Sequence, residues 1–215
     1  MKKLLLLLCF ACFSINCCFA NEVKNLSSDE ALKILKAGNL RFQTMKEKHP
    51  DQTKERRKEL EKMQHPFAVV ITCSDSRVPP SLIFDQGLGD IFEIRNAGNV
   101  LDNHVIGSVE YAVVHLKLVI VMGHENCGAV TAALSNVHES KYIASLTNSI
   151  EPALKMYNEN SKEDKLTSTI KNNALLVTDN LIKSDRILSN YVKNKGLKIM
   201  TAYYHLDSGK VEFLK

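Results

Sequence analysis

Two short motifs carry the residue types in this sequence that could do chemistry. The first is Cys73-Ser74-Asp75-Ser76-Arg77, and the second is His124-Glu125-Asn126-Cys127-Gly128. Two thiols and an imidazole are ligands that the borderline-soft Zn²⁺ ion prefers, and three protein ligands leave a fourth position open for a reaction. The sequence therefore predicts a zinc site with Cys73, His124 and Cys127 as its ligands.

A disulfide between Cys73 and Cys127 is the alternative to a metal site. The other cysteines all lie close to the amino terminus, at Cys9, Cys12, Cys17 and Cys18. If those leave with a secretion signal, the remaining pair could be oxidised in an exported protein. A disulfide has no use for an aspartate or a histidine beside it, so Asp75 and His124 favour the metal.

Asp75 and Arg77 predict the chemistry that the metal would support. A bound zinc ion lowers the pKa of a coordinated water to about 7, which generates a hydroxide nucleophile at neutral pH. Asp75 could pair with Arg77 and accept the hydrogen bond of that hydroxide, or it could fill the fourth position itself and close the site. A surface ion pair without a catalytic role is the third interpretation, and the residues alone leave all three open.

Both motifs follow apolar runs rich in β-branched residues, Phe67–Ile71 and Leu118–Met122. Runs of this kind are typical of parallel strands that are buried on both faces. Ligands of open α/β sheets bind beyond the carboxyl ends of the strands, where the ends of neighbouring strands meet. We therefore expect the two motifs to lie together at one edge of a sheet.

The remaining pattern predicts a single α/β domain. Further strands are expected over residues 91–94, 197–205 and 211–214. Helices are expected over 103–116 and, as one long amphipathic element, over 166–193. This order indicates a mostly parallel four-stranded sheet with an antiparallel edge strand, flanked by helices. Ser27 and Glu30 match a capping box, which predicts an N-terminal helical arm that begins there.

Residues 1–20 have the pattern of a signal peptide. Lys2 and Lys3 precede an apolar run, and Cys18-Phe19-Ala20 ends in a small residue suited to cleavage. We therefore expect residues 21–215 to form one exported, periplasmic catalytic domain that is not held at a membrane after cleavage. An uncleaved membrane anchor and a lipid-modified cysteine are the alternatives, although the apolar run is short for a membrane span.

Composition and charge argue against nucleic acid as a partner. The 215 residues carry a formal net charge of +4, and 24% of them are charged. These values are ordinary for a globular protein, and no stripe of lysine and arginine with interleaved aromatic residues is present. We expect a small-molecule substrate instead.

The two motifs together resemble the zinc signature of the β-class carbonic anhydrases, in a bacterial, exported form. Cys73-x-Asp75-x-Arg77 and His124-x-x-Cys127 are the core of the likeness, which extends to Arg95-Asn96-x-x-Asn99, Glu110–Val113 and Gly209-x-Val211. The resemblance implies a carbonate dehydratase, a lyase with one Zn²⁺ per subunit. Its zinc-bound hydroxide would attack carbon dioxide and give bicarbonate and a proton, in a homodimer or homotetramer.

The resemblance also implies roles for residues outside the two motifs. Gln64 corresponds to a glutamine that hydrogen-bonds substrate or product, and Gly128 to a backbone N–H beside it. Phe92, Ala97 and Tyr111 correspond to an apolar pocket wall that members of this family share across a dimer interface. Taken on residue type alone, Phe92 and Tyr111 are predicted to be ordinary core residues.

Two competing functions remain open at this point. A related zinc hydrolase acting on COS or CS₂ would use the same metal chemistry with different pocket access. A non-catalytic zinc-binding protein would fit a permanently coordinating Asp75, but it would leave Arg77 and Gln64 without a role.

Overall fold

The computed structural model describes residues 26–214, in which a five-stranded sheet forms the centre. Its strands are β1 (Ala68–Cys73), β2 (Ile91–Asn96), β3 (Leu118–His124), β4 (Lys198–Tyr204) and β5 (Val211–Phe213). They are ordered β2-β1-β3-β4-β5, with the first four parallel and β5 antiparallel to β4. The predicted α/β class and sheet are confirmed, and the predicted signal peptide lies outside the described residues.

Helices cover the sheet on both sides. They are α1 (Ser28–Gln43), α2 (Lys54–Glu59), α3 (Pro80–Ile83), α4 (Asn103–Val113), α5 (Gly128–Leu134), α6 (Lys141–Leu154), α7 (Lys165–Lys183) and α8 (Arg186–Asn194). Val70 of β1 belongs to a core cluster with residues of α1, α3, α5 and α6. Val69 and Ile71 point to the opposite face, where α4, α7 and α8 supply the cluster. Every residue of β1 and β3 is buried, and burial of both faces explains why the two strands are largely apolar.

The N-terminal helix begins where the capping box predicts. The Ser27 hydroxyl accepts the backbone N–H of Glu30, and the Glu30 carboxylate accepts the backbone N–H of Ser27. Buried Asn39 then joins α1 to the far end of the chain, because its amide donates to Gly209 O at 2.8 Å and accepts from Val211 N at 2.9 Å. The arm is therefore fastened to the edge of the sheet.

The predicted helix over 166–193 is wrong in one respect, because the chain forms two helices there. Asp185 is extended (φ −156°, ψ −176°), and its carboxylate accepts the N–H of Leu188 at 2.9 Å, so it caps a new helix. The break turns α8 to bury Leu188 against the α4 side of the sheet. Among residues 26–214, none of the helices combines the length and apolarity that a bilayer crossing requires.

Candidate metal centre

Two neighbouring parallel strands deliver the motifs to the same edge of the sheet. β1 ends at Cys73 and β3 ends at His124, and the two strands pair in register up to Thr72 and Met122. Cys127 follows as the residue that precedes the first turn of α5. The carboxyl ends of β1 and β3 and the start of α5 therefore meet, as the strand pattern predicts.

Cys73, His124 and Cys127 form a buried group that could hold a metal ion. Their ligand atoms all lie within 4.8 Å of one another. The two sulfurs are 4.0 Å apart and both cysteines are free, so the disulfide alternative does not describe this structure. Two sulfurs bound to one tetrahedral zinc ion at about 2.3 Å would lie roughly 3.8 Å apart. The spacing therefore fits such an ion.

One ring nitrogen of His124 faces this group and lacks a hydrogen-bond partner among the described residues. Its Nδ1 lies 2.9 Å from Glu125 O, which fixes the ring and leaves Nε2 as the free position. The side chain is fully buried, and Nε2 has no hydrogen-bond partner among the described residues. A buried nitrogen without a partner is costly, and a metal ion would satisfy it.

The two thiols share protons unequally. The pKa of Cys73 falls to about 4, first because the Cys127 thiol donates to its sulfur, and further because the Gly98 N–H donates to it at 3.3 Å. The pKa of Cys127 is raised, because it is the donor in that pair and is buried. One thiolate therefore forms readily, and a cation between the sulfurs would stabilise the second.

Asp75 and Arg77 form a two-point ion pair beside the group. Arg77 donates from Nε to Asp75 Oδ1 at 2.9 Å and from Nη2 to Oδ2 at 2.7 Å. These contacts hold the pKa of Asp75 well below its usual range, so the carboxylate stays ionised. Its Oδ2 is 4.0 Å from His124 Nε2, which puts the carboxylate at the mouth of the metal-capable group.

Arg95 holds the loop that carries Asp75. Its guanidinium donates from Nε to Cys73 O at 3.1 Å and from Nη2 to Asp75 O at 2.6 Å. Because both acceptors are backbone carbonyls, Arg95 fixes the path of the chain between the two side chains. The family resemblance includes Arg95, but the residue type and spacing of Arg95 do not predict this contact.

The other predicted site residues are distributed around the fold. Gly128 is exposed at the first position of α5, where an added Cβ would meet no other described residue within 4 Å, and Ala97 begins the short turn after β2. Gln64 lies in the exposed loop before β1. The single chain therefore keeps Gly128 next to Cys127, whereas Gln64 belongs to a separate surface loop.

Phe92 and Tyr111 lie on the face of the sheet opposite the cluster that contains Cys73 and Cys127. Their ring centroids are 6.2 Å apart, and Phe92 packs on the α4 side. Tyr111 is 70% exposed, so the interpretation of Tyr111 as a core residue is wrong for this chain. Its residue type favoured a buried place, but no element within residues 26–214 covers it.

Comparison with known proteins agrees with this geometry. The family model described as carbonic anhydrase matches residues 68–211. A carbonic anhydrase of Mycolicibacterium smegmatis is 48% identical over 130 residues, which cover 58% of this chain and 63% of that protein. Carbonic anhydrase 2 of Mycobacterium tuberculosis is 34% identical over 194 residues, which cover 86% of this chain and 92% of that protein.

The fold also resembles that of solved β-carbonic anhydrases. One of two tetrameric β-carbonic anhydrases solved from Sordaria macrospora superposes with a TM-score of 0.65 at 22% identity, over 73% of this chain and 84% of that one. At this identity the likeness speaks for the fold alone, whereas the family match spans more than half of the chain and includes every residue of both motifs. By its sequence, its sheet and its buried Cys–His–Cys group, this chain belongs to the β-carbonic anhydrase family.

Proposed function

We propose that this chain is a zinc-dependent enzyme that reversibly hydrates carbon dioxide to bicarbonate and a proton. The observation that carries the proposal is the buried group of Cys73, His124 and Cys127, with an unpartnered Nε2 on the histidine and the Asp75–Arg77 pair beside it. Membership of the family supports the same reaction.

We assign the three buried side chains as the ligands of one zinc ion per subunit. Two sulfurs and one imidazole favour a borderline-soft ion over calcium or magnesium, which take oxygen ligands. When bound, zinc supplies a Lewis acid that brings the ionisation of water close to neutral pH. The protein positions the three donor atoms at a spacing that suits the ion and buries them away from solvent.

Asp75 is proposed to orient the attacking water. A carboxylate can accept about four hydrogen bonds, and Arg77 with its own backbone N–H takes three of those positions on Asp75. Oδ2, which faces His124, keeps room for one more donor. A water that donates there directs its oxygen lone pair towards the carbon of the substrate, where the new C–O bond forms and a proton passes to solvent.

The Arg77 contact also favours an open site. Both carboxylate oxygens of Asp75 accept from the Arg77 guanidinium, and these charge-assisted bonds compete with coordination of a metal. We therefore propose that Asp75 serves catalysis and does not close the fourth position. This separates the enzyme from a non-catalytic zinc-binding protein, in which the Asp75–Arg77 pair would have no role.

The apolar pocket wall is proposed to need a second copy of the chain. Phe92 and Tyr111 lie on the far face of their own sheet, and Tyr111 is largely exposed, so they are available to another subunit. Ala97 is proposed to join the same wall, and Gln64 and the Gly128 N–H are proposed to hydrogen-bond substrate or product. The assembly is a homodimer or homotetramer, in line with the tetrameric relatives from Sordaria macrospora. Sedimentation velocity of the purified chain tests this assembly. A sedimentation coefficient that corresponds to a monomer would contradict the proposal.

Export to the periplasm is proposed from residues 1–20 alone. Mass spectrometry of the protein recovered from a periplasmic extract should give the mass of a chain that begins at Asn21. A full-length mass in the cytoplasmic fraction would contradict the proposal.

The substrate assignment is tested by parallel rates. The zinc-loaded chain is mixed with carbon dioxide and, separately, with CS₂ in a stopped-flow instrument with a pH indicator. We expect rapid proton release with carbon dioxide and little with CS₂. The reverse order would identify the related hydrolase, and no release with either substrate would point to a protein that only binds the metal.

A further inference from the structure

A buried asparagine on a helix that contributes no ligand contacts the turn beside the proposed metal centre. Asn173 of α7 is 2% exposed, and its amide Nδ2 donates to Gly98 O at 2.9 Å. Burial of a side-chain amide is costly unless it is hydrogen-bonded, so a polar residue at this place needs a reason. We look for that reason in the contact that Gly98 makes with the Cys73 sulfur.

Gly98 belongs to the turn after β2 and contacts the first cysteine of the group. Its backbone N–H donates to Cys73 Sγ at 3.3 Å. Its φ of +72° is one that residues with a side chain rarely adopt. An added Cβ would lie 2.9 Å from Ile150 Cδ1 and 3.0 Å from Ala129 Cβ, so the turn is held close between α5 and α6.

The same helix supports the histidine strand. Gly123 precedes His124, and a Cβ there would lie 2.9 Å from Ile170 Cγ2 and 3.6 Å from Ala174 Cβ. Ile170, Asn173 and Ala174 share one side of α7 because their spacing follows the helical repeat. One helix face therefore backs both the turn at Cys73 and the end of the strand that carries His124.

We propose that Asn173 is a positioning residue of the metal centre. It anchors Gly98 through the carbonyl, and the anchored Gly98 aims its N–H at the Cys73 sulfur. A hydrogen bond to that sulfur stabilises its negative charge and fixes the direction of its lone pairs, and both favour coordination. This inference rests on the zinc site proposed above.

A purely structural role is the competing explanation, in which Asn173 only satisfies the Gly98 carbonyl. Loss of such a bond would lower the stability of the metal-free fold without changing how the sulfur binds a metal. Loss of a positioning bond would change metal affinity and the electronic environment of the sulfur. Metal binding, measured apart from turnover, therefore distinguishes the two.

The test compares Asn173→Ala with Asn172→Ala. Asn172 is the adjacent control, because its amide also donates to a backbone carbonyl, that of Ala153 at 3.5 Å, away from the metal group. Zinc affinity is measured by competition with a coloured chelator, and cobalt is substituted to record the sulfur-to-metal absorption band. Circular dichroism establishes that each variant is folded.

We expect Asn173→Ala to bind zinc about 10- to 100-fold more weakly and to shift the cobalt band, while Asn172→Ala matches the wild type. Asn173→Asp keeps the size of the side chain but offers an acceptor where a donor is needed, so it should reproduce the loss if the alanine variant does not fold. Wild-type affinity and an unshifted band in a folded Asn173 variant would overturn the positioning role.

The outcomes also separate this inference from the proposed function. If the wild-type chain binds neither zinc nor cobalt, the proposed metal centre is refuted, and the role of Asn173 is refuted with it. If the wild type binds both and a folded Asn173 variant binds them equally well, the metal centre stands and only the role of Asn173 is refuted.

Discussion

At the scale of single residues, Cys127 gives the clearest test of the proposed zinc ligands. Its sulfur lies 4.0 Å from that of Cys73, and the other cysteines of the chain are in the predicted leader. Cys127→Ser should therefore remove bound zinc and carbon dioxide turnover together, because a hydroxyl is a far poorer zinc ligand than a thiolate. Metal content and turnover are measured on the same preparation.

Thr131→Ala is the matched control for that experiment. Thr131 donates from its hydroxyl to Cys127 O at 3.1 Å, so the change touches the same turn of α5 without altering the donor set. It should keep zinc and most of the turnover. A Cys127→Ser protein that is active without zinc would refute the assignment of Cys127 as a ligand.

Asp75→Ala separates binding from catalysis. Asp75 lies 4.0 Å from His124 Nε2 and is not needed to complete a Cys–His–Cys set, so zinc content should stay at the wild-type value. Turnover should fall by about 10²-fold or more, the usual range for losing a group that handles a proton in the transition state. Retained turnover would dismiss the orienting role, and lost zinc would instead make Asp75 a ligand.

The grouping of Cys73, His124 and Cys127 could be predicted from the sequence, whereas the residues that support the group could not. Cys73, His124 and Cys127 stand out because residue type and spacing carry the chemistry directly. Asn173 gives no such signal, since a polar residue on an amphipathic helix is normally exposed. The exposure of the Tyr111 side chain also could not be predicted, because helix periodicity does not show whether the same chain covers a given helix face.

At the scale of elements, the contact between α7 and β3 decides how rigidly the histidine is held. Gly123→Ala would put a methyl group 2.9 Å from Ile170 Cγ2 and 3.3 Å from Ile170 O, so the helix must move away. Overpacking of this kind costs about 1–3 kcal/mol, and the shift should also weaken zinc binding. Thermal unfolding and chelator competition would measure both effects.

Gly107→Ala is the control for this substitution. Gly107 lies within α4, and an added Cβ would meet no atom of residues 26–214 within 4 Å. Alanine should therefore leave zinc binding unchanged and stabilise the helix by roughly 0.5–1 kcal/mol. Equal stability of the two variants would mean that the close approach of α7 to β3 is not what holds this end of the strand.

The predicted elements were right where local chemistry marks their ends. The capping box at Ser27 and the apolar runs of β1 and β3 give the start of α1 and both central strands. The helix over 166–193 was predicted as one piece because its apolar residues continue across the break. Asp185, the N-cap of α8, was the residue that could have indicated the break. A capping residue inside a continuous apolar pattern is easily interpreted as an ordinary exposed residue of one helix.

At the scale of the whole molecule, Asp85 ties the loop after α1 to the body of the fold. The carboxylate is 1% exposed and accepts from Arg41 and from the backbone N–H groups of Lys48 and His49. Burial opposes its ionisation, but the Lys48 N–H and the Arg41 guanidinium outweigh that effect, so the pKa of Asp85 lies below its ordinary value. The ionised carboxylate therefore stabilises the folded state.

This arrangement predicts an acid-sensitive contribution to stability. A lowered folded-state pKa gives stabilisation that is fully present above the unfolded value of about 3.9 and is lost as the pH falls through the folded value. Asp85→Asn should lower the free energy of unfolding at pH 7, and the difference from wild type should shrink below about pH 4. Urea unfolding at a series of pH values tests this, and a constant difference across the series would contradict it.

The most direct test of the account is a zinc titration of the metal-free protein with carbon dioxide turnover as the readout. Stopped-flow hydration rates are recorded while bound zinc is counted by atomic absorption. The account predicts that turnover is absent without metal, rises in proportion to bound zinc and levels off at one ion per chain. Turnover that is unchanged by removing the metal, or a chain that fills with zinc and stays inactive towards carbon dioxide, would contradict it.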